Sequence, residues 1–428
     1  MTKKIAVVSL GCDKNRVDTE KMLWYLKGGE YSITSDYGEA EVIIINTCAF
    51  IESARVEAID TILEMSAYKN EGNCKKLIVT GCLPQKYRDE IGDSLPEVDA
   101  FLGVNEYEKI RDAIENNGEI LPASDGRILT TPPHFAYLRV SDGCDNFCTF
   151  CTIPSIRGKY RSRTIESIVF EANTLVKQGV RELILVAQDV TNYGKDLYGE
   201  PSLVRLLREL VKTDVEWIRL MYCYPELVTD ELIDMIASED KIAKYIDIPM
   251  QHVSDGVLKR MNRRNTYADA CNICEKLKQK GIALRTTFMV GFPGETQDDF
   301  DLLMEFTKKY KPENVGIFAY SKEEGTPSAK LKGQLTKAVK KSRVNQLGKL
   351  NLENVIEYNE QMIGKVLDVV YEDVDYDRGL FCGRTQYDAP DIDKVVYFSG
   401  EYADVGNVYK VKITDYDEYD LIGEIVSQ

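Results

Sequence analysis

The sequence predicts an α/β protein made of an N-terminal doubly wound α/β domain, a partial (βα)6 barrel and a small C-terminal antiparallel β-barrel. Three observations lead to this prediction. Short apolar segments alternate with helical segments over residues 1–120, the alternation returns over 135–350, and helical pattern is scarce over 361–428. A chain of 428 residues is long enough for two to four domains, each with a core of its own.

The N-terminal domain is predicted from three strands and the helices between them. KIAVVSL, EVIIINT and KKLIVTG are continuous apolar segments rich in Val and Ile, which is typical of parallel strands buried on both faces. DTEKMLWYLK and ARVEAIDTILEMSA carry apolar residues at helical spacing. This βαβ pattern predicts a doubly wound sheet, and residues 121–134, which include TTPPHF, are predicted to be a linker.

The middle part, residues 135–350, contains six candidate strands. These are AYLRVS, ELILVA, EWIRLM, KYIDIP, LRTTFMV and NVGIFA, with helical segments such as SLVRLLRELVK between them. Six βα units fit a partial barrel better than a complete eight-fold one. KAVKKSRVNQLGKLNLENVIEYNEQM then predicts a long, mostly polar helix whose end, residues 351–360, links to the last domain.

The C-terminal part, residues 361–428, shows short strand-like segments separated by Gly and Asp turns, which predicts a small antiparallel barrel. It holds 15 Asp and Glu against 6 Lys and Arg, a net charge of −9 within a chain total of −16. An acidic chain is unsuited to coating nucleic acid, because a phosphate-binding surface needs basic side chains. Solubility is the alternative explanation for the acidic residues of this domain.

The chain is expected to be cytoplasmic, with no membrane partner. It has no run of about 18 apolar residues, as a membrane-spanning helix would need. MTKKIAVVSLGC lacks the features of a signal peptide. In a reducing compartment, the odd count of eleven cysteines favours metal binding or catalysis over disulfides.

Cys144, Cys148 and Cys151 form the most compact group of thiols. Zinc is one candidate ligand, but a closed zinc site needs four Cys or His ligands. The chain has only two histidines, and neither lies at zinc-finger spacing, although His134 could approach in three dimensions. An iron–sulfur cluster held by three cysteines, with one iron left free, fits better. A loop after the first barrel strand would place that iron at the mouth of the barrel, where active sites of such folds lie.

Cys12, Cys48 and Cys82 form a second group, because each follows a predicted parallel strand. The carboxyl ends of such strands meet at one crevice of the sheet. Buried cysteines are common small hydrophobic residues, which would explain a single one of these positions. Three such positions favour a second metal site.

Arg157, Lys159, Arg161 and Arg163 follow the compact group of cysteines. They could hold an anionic group of a substrate near the free iron. A solvated, charged loop is the commoner explanation, and the sequence favours it.

The spacing CxxxCxxC, with Phe150 before the last cysteine, resembles the signature of the radical S-adenosylmethionine (SAM) superfamily. The resemblance implies that the free iron chelates the amino and carboxylate groups of SAM, whose cleavage gives a deoxyadenosyl radical. LVAQDVTNYG stands where many members carry the Gly-Gly-Glu that binds the SAM amino group, and here Ala187, Gln188 and Asp189 stand in its place. FMVGFPGET resembles the glycine-containing fifth strand, although Gly291 would also suit a tight turn. Phe150, Gln188 and Gly291 are the candidate SAM-binding residues.

The order of the three domains is similar to that of the methylthiotransferase family. In that family the N-terminal cluster carries the sulfur, one SAM donates a methyl group, and another generates the radical that converts C–H to C–S–CH3. The terminal all-β domain, called TRAM, recognises the substrate. The resemblance implies a transferase of sulfur-containing groups with SAM and two [4Fe–4S] clusters, ligated by the two groups of three cysteines, and no other catalytic residues.

Two branches of the family compete, one acting on a tRNA adenosine and the other on an aspartate of ribosomal protein S12. SLGCDKNRVDTE, NTCAFIESA, IDIPMQHVSD and GRTQYDAPDID resemble motifs of the S12 branch. A terminal domain of charge −9 would attract a basic ribosomal protein and repel tRNA. The prediction is methylthiolation of the β-carbon of an S12 aspartate, with an electron donor and a sulfur donor as further partners. The alternatives are a tRNA adenosine methylthiotransferase and a non-catalytic two-cluster iron–sulfur electron carrier.

Overall fold

The computed structural model describes residues 2–122, 124 and 126–427. The N-terminal strands are β1 (Lys3–Ser9), β2 (Tyr31–Ile33), β3 (Val42–Thr47), β4 (Lys76–Gly81) and β5 (Ala100–Leu102). They form a parallel sheet in the order β2-β1-β3-β4-β5. The central strand β3 is buried over its whole length, which is why its apolar residues do not alternate with polar ones.

Helices cover both faces of this sheet. They are α1 (Asp13–Tyr25), α2 (Glu52–Ser66), α3 (Tyr68–Glu71), α4 (Cys82–Ser94) and α5 (Ile110–Glu115), with a 3-10 turn at Tyr107–Lys109. Two separate apolar cores result, since α2 and α4 pack on one face and α1 and α5 on the other. The helices that begin at Asp13 and Cys82 follow the parallel strands β1 and β4. Both helices therefore start at the carboxyl edge of the sheet.

The middle part is a six-stranded, all-parallel sheet that does not close. Its strands, in spatial as well as sequence order, are β6 (Phe135–Arg139), β9 (Glu182–Val186), β10 (Trp217–Leu220), β11 (Ile242–Asp247), β12 (Ala283–Val290) and β13 (Asn314–Ala319). A short antiparallel pair, β7 (Ser141–Asp142) and β8 (Arg161–Ser162), flanks the loop that carries the compact cysteines.

Helices between these strands bury the outer face of the sheet in the largest apolar core of the described chain, and these are α7 (Ile165–Lys177), α9 (Leu203–Leu210), α10 (Asp230–Ser238), α12 (Tyr267–Gln279) and α13 (Gln297–Tyr310). Shorter helices lie in the connecting segments, namely α6 (Ile153–Arg157), α8 (Lys195–Tyr198) and α11 (Asp255–Arg260), together with 3-10 turns at Pro225–Leu227 and Pro327–Lys330. Thr266 and Thr296 begin α12 and α13 with capping boxes, in which Asp269 and Asp299 return the hydrogen bond.

The long helix α14 (Lys337–Met362) leads to a closed barrel in the order β14-β15-β16-β18-β17. Its strands are β14 (Val366–Asp375), β15 (Leu380–Thr385), β16 (Val396–Ser399), β17 (Val408–Asp417) and β18 (Asp420–Ser427). Closure leaves no exposed strand edge.

The C-terminal barrel docks on the partial barrel through buried ion pairs. Arg384 contacts Glu182 at the start of β9. Asp393, in the segment between β15 and β16, accepts hydrogen bonds from the Tyr245 hydroxyl (2.8 Å) and from Arg285 Nε (3.1 Å). The segment 386–393 is thereby held against the strands of the partial barrel.

The predicted fold class is confirmed for all three parts, although the C-terminal barrel closes through one parallel strand pair, β16 with β18, beside its antiparallel pairs. The predicted linker, 121–134, lies partly outside the described residues, since 123 and 125 are not among them. The predicted domain limits stay a proposal, and α14 runs through the one at residue 350 without a break. Within the described residues, no helix combines the length and apolar character needed to cross a membrane.

Candidate active site

The N-terminal cysteines lie together at the carboxyl edge of the first sheet. Cys12 precedes α1, Cys48 follows β3, and Cys82 opens α4. Gly11, with φ of +89°, lies so close to the second cysteine that a Cβ there would be 2.9 Å from the Cβ of Cys48. Gly81, with φ of +97°, leaves β4 by a turn that L residues rarely adopt. These three cysteines are called the N-terminal trio below.

The environment of the N-terminal trio suits metal-bound thiolates. Cys12 is exposed, Cys48 is half-buried and Cys82 is buried. Burial raises the pKa of Cys82 to about 12, with Arg157 opposing the rise and the other two cysteines adding to it. Burial also raises the pKa of Cys48. Such thiols lose their protons when a metal cation compensates the charge, so the donor set fits a metal cluster.

Cys144, Cys148 and Cys151, called the barrel trio below, occupy the loop between β7 and α6. The loop is tight, because the Cys151 amide donates to the Cys148 carbonyl (3.0 Å). The Tyr224 hydroxyl lies 3.0 Å from Cys148 Sγ. Burial raises the pKa values of Cys144 and Cys151 to about 12, so these thiols also need a cation to ionise.

Neither trio is arranged around a single ion. Within the described part of the chain, no three His, Cys, Asp or Glu side chains are placed to hold one metal ion. A four-iron cluster does not need such convergence, because each thiolate binds a different iron. His134 lies at the other edge of the partial barrel, before β6, and its Nε2 is 2.8 Å from Glu372.

The two trios are joined by direct contacts. Thr152, next to Cys151, donates its hydroxyl to the carbonyl of Phe50 (3.3 Å), two residues after Cys48. Ile156 of α6 is buried in the core of the N-terminal domain rather than in that of the partial barrel. The loop of the barrel trio is therefore packed against the domain that holds the other trio.

A cavity of about 390 Å³ opens at Cys12. Its walls come from all three parts of the chain, namely the start of α1, inner residues of the partial barrel such as Tyr222, and the segment 389–392 of the C-terminal barrel. Asp391 in that segment has φ of +67° and pairs loosely with Arg16 at 3.6 Å. The volume is in the range of small-molecule and peptide side-chain sites.

Comparisons with known proteins agree with this arrangement. The Radical SAM superfamily model matches residues 138–307, the uncharacterized protein family UPF0004 matches 4–103, and the TRAM domain matches 363–426. The chain is 49% identical to ribosomal protein uS12 methylthiotransferase RimO of Acetivibrio thermocellus, over 100% of this chain and 99% of the relative. It is 50% identical to the RimO of Clostridium botulinum, over 99% of both chains. The chain belongs to the RimO family.

Solved structures of lower identity support the fold of this RimO-family protein. The radical SAM methyltransferase TsrM from Kitasatospora setae has a TM-score of 0.56 at 13% identity and covers 77% of each chain. The cobalamin-dependent SAM radical enzyme OxsB has a TM-score of 0.52 at 12% identity, over 82% of this chain and 56% of its own.

Membership of the RimO family settles the class of chemistry. The chain is a radical SAM enzyme and a methylthiotransferase, that is, a transferase of sulfur-containing groups. Its cofactors are SAM and [4Fe–4S] clusters.

Two candidate SAM-binding residues of this RimO-family protein, Phe150 and Gln188, contact or belong to the segment that carries the barrel trio, and the third, Gly291, precedes Phe292. Phe150 packs edge-on against Phe292, with ring centroids 6.4 Å apart. Gln188 donates to Asp142 (3.2 Å), while its buried Oε1 has no hydrogen-bond partner among the described residues. Gly291 has φ of +77°, and a Cβ there would be 2.4 Å from Lys340 Cγ. Their contact with SAM stays a prediction.

One charged residue of the loop after the barrel trio is not solvated as the sequence predicts. Lys159 and Arg161 are exposed, as expected of a solvated loop, but Arg157 is buried. Its guanidinium contacts Asp18 of the N-terminal domain and Asp142 beside the barrel trio. No local pattern marks Arg157, since its partner Asp18 lies 139 positions away in the chain.

Proposed function

We propose that this chain replaces a hydrogen on the β-carbon of an aspartate of ribosomal protein uS12 with a methylthio group. The observation that carries the proposal is the contact between two cysteine trios, beside a cavity that opens at Cys12. The resemblance of its motifs to the S12 branch and its full-length identity to curated RimO proteins support the choice of substrate.

We assign one [4Fe–4S] cluster to Cys12, Cys48 and Cys82 and a second to Cys144, Cys148 and Cys151. When bound, the barrel cluster would supply the radical from SAM, and the N-terminal cluster would supply the sulfur. The protein contributes the thiolates, the partial or full burial of all of them except Cys12, and the orientation of SAM. The unpaired Oε1 of Gln188 is suited to accept a hydrogen bond from the SAM ammonium group, while Phe150 and Gly291 shape the same region.

The charges around the cavity fit an aspartate carried on a basic protein. Arg16 is the one basic side chain among the described residues that line the cavity, and it is suited to pair with the substrate carboxylate. Asp391 lines the same cavity, is 61% exposed and is suited to pair with neighbouring basic residues of the substrate, whereas Asp13 already pairs with Lys14 at 3.2 Å. Together with the net charge of −9 on residues 361–428, the Asp391 carboxylate favours uS12 over tRNA.

The reaction needs partners that this chain does not supply. A reductant must deliver electrons to the barrel cluster, and a sulfur donor must replace the sulfur that each turnover consumes. Because the substrate is a ribosomal protein, we place the reaction in the cytoplasm, and the proposal includes no membrane partner.

The test is a substrate comparison with anaerobically reconstituted protein. The protein is incubated with reductant, SAM and sulfide, together with either uS12 or tRNA, and the products are analysed by mass spectrometry. We expect one methylthio group on one aspartate of uS12, and methyl groups labelled with deuterium when labelled SAM is used. Methylthiolation of tRNA but not of uS12 would overturn the choice of substrate, and no SAM-dependent product on either would favour an electron carrier.

Matched cysteine variants test the ligand assignment. We expect about eight irons per chain in the wild type and about four when either trio is replaced by alanine. The control is Cys271→Ala/Cys274→Ala, because these two cysteines lie on α12, far along the chain from both trios. The assignment is wrong if the control loses iron as the trio variants do.

A further inference from the structure

Arg157 is the last residue of the short helix α6, which begins two positions after Cys151. Its side chain is 1% exposed, so the cation is almost completely removed from water. A buried guanidinium must be compensated by carboxylates and hydrogen-bond acceptors. The identity of those partners shows what the residue connects.

The partners of Arg157 lie on both sides of the interface between the two domains. Its Nη2 donates to Asn15 Oδ1 (2.8 Å) and to Asp18 Oδ2 (2.9 Å), both on α1. Its Nη1 donates to Asp142 Oδ1 (3.2 Å), two residues before Cys144. Arg157 therefore joins α1 of the N-terminal domain to β7, the strand that leads into the barrel trio.

Asn15 links Arg157 to the segments that hold the N-terminal trio. Its Nδ2 donates to the carbonyls of Leu10 (3.2 Å) and Thr47 (2.9 Å), which lie just before Cys12 and Cys48. Its Oδ1, the atom that Arg157 contacts, is 3.6 Å from Cys82 Sγ. One amide side chain therefore touches all three segments that present the N-terminal trio, and the guanidinium holds that amide.

The charge of Arg157 also acts on the N-terminal trio directly. Only Asn15 Oδ1 lies between them, since this oxygen is 2.8 Å from Arg157 Nη2 and 3.6 Å from Cys82 Sγ, and the Asp18 carboxylate is 2.9 Å from the same Nη2. A fixed positive charge beside a cluster favours the reduced, more negative state and raises its reduction potential. Arg157 keeps its charge at every pH at which the protein is folded.

We propose that Arg157 is a positioning residue that locks the two cysteine trios against one another and holds a permanent positive charge beside the N-terminal cluster. The proposal rests on the proposed function, which places a cluster on each trio. Geometry and charge are separable effects, since Lys would keep the charge and lose the three-way hydrogen bonding of Arg.

The first test is the reduction potential of the N-terminal cluster. It is measured by potentiometric titration in the full-length chain with Cys144, Cys148 and Cys151 replaced by alanine, so that one cluster is observed. Arg157→Gln should lower the potential, Arg157→Lys should leave it near the parent value, and Asp18→Asn should raise it. Because Arg157→Gln and Asp18→Asn break the same ion pair, shifts of opposite sign cannot come from structural damage.

The second test uses the chain with both clusters and follows SAM cleavage and methylthiolation together. Arg157→Lys should keep SAM cleavage and lose methylthiolation by a factor on the order of 100, as expected when reacting groups are misplaced by about 1 Å. Arg127→Gln is the matched control, because Arg127 is also buried and joins Glu20 of α1 to Glu171 of α7 without touching either trio. It should change neither the potential nor the ratio of the two products.

The outcomes separate this proposal from the proposed function. Equal potentials in Arg157→Gln, Asp18→Asn and the parent, or undiminished methylthiolation by Arg157→Lys, would overturn the role of Arg157. A wild-type chain that binds only one cluster, or that makes no methylthiolated product, would instead overturn the proposed function.

Discussion

Glu182 ties the C-terminal barrel to the partial barrel, and its neutralisation should loosen that contact. Its Oε1 accepts from Arg219 Nε (2.7 Å), and its Oε2 accepts from Arg384 of the C-terminal barrel. Burial would raise the pKa of Glu182, but Arg219 and Arg384 lower it to about 2. Glu182→Gln keeps the shape of the side chain and removes the charge.

The size of the effect follows from the pKa. A fall of this pKa from its ordinary value of 4.5 to about 2 corresponds to roughly 3 kcal/mol of stabilisation at neutral pH, at about 1.4 kcal/mol per pH unit. Breaking a buried ion pair costs about 3–5 kcal/mol, which is consistent. Because the folded pKa is depressed, this stabilisation is present above pH 4.5 and is lost as the pH falls towards 2.

Arg384 keeps a second partner, Glu372, inside its own barrel (2.8 Å). We therefore expect Glu182→Gln to undock the C-terminal barrel before that barrel unfolds. Undocking would displace the segment 389–392 from the cavity wall and raise the KM for uS12 more than it lowers kcat.

The assay is hydrogen exchange of the segment 386–393 and of β11, combined with guanidinium denaturation. Multidomain unfolding is not two-state, so the local exchange rates are the primary measurement. Glu231→Gln is the control, since the exposed Arg208–Glu231 pair (2.8 Å) should contribute less than about 1 kcal/mol. If Glu182→Gln changes exchange and stability no more than Glu231→Gln does, the docking role of Glu182 is refuted.

Three further predictions follow from single features of the structure. Burial lowers the pKa of His252 to about 3, whereas its ordinary pKa is 6.5. Because only the unfolded state binds this proton between pH 7 and pH 5, the free energy of unfolding should fall by about 2 kcal/mol over that range. Denaturation of His252→Gln at both pH values should lack this difference, and an equal difference in the variant would refute it. Gly81→Ala should lose about 1–3 kcal/mol of folding stability and part of the N-terminal iron, because φ is +97° and a Cβ would be 2.3 Å from Asn46 Oδ1. Gly92→Ala, within the helix α4 that Gly81 precedes, has open space and should gain about 1 kcal/mol. Thermal melts and iron analysis compare the two, and equal effects would contradict the argument. Asp391→Lys should raise the KM for a uS12 peptide most strongly at low salt, and a KM unchanged from the wild type at low salt would remove Asp391 from substrate recognition.

The sequence by itself determined the central buried strands and their order, whereas the short edge strands β2 and β5 of the first sheet were not predicted. The Val- and Ile-rich segments predicted the buried parallel strands, because burial on both faces leaves no polar alternation. The position of Cys12, Cys48 and Cys82 after three such strands predicted their meeting at one edge, since parallel strands end on the same side of a sheet. Both inferences use only neighbours along the chain and the regular geometry of sheets.

The tertiary structure decided which charged residues join the domains. The sequence favoured a solvated loop for Arg157, and the structure buries it between Asp18 and Asp142. The wall that Asp391 adds to the cavity at Cys12 likewise depends on how the C-terminal barrel docks. Such contacts form between surfaces that become neighbours only after each domain has folded. The local periodicity of the sequence therefore does not predict them.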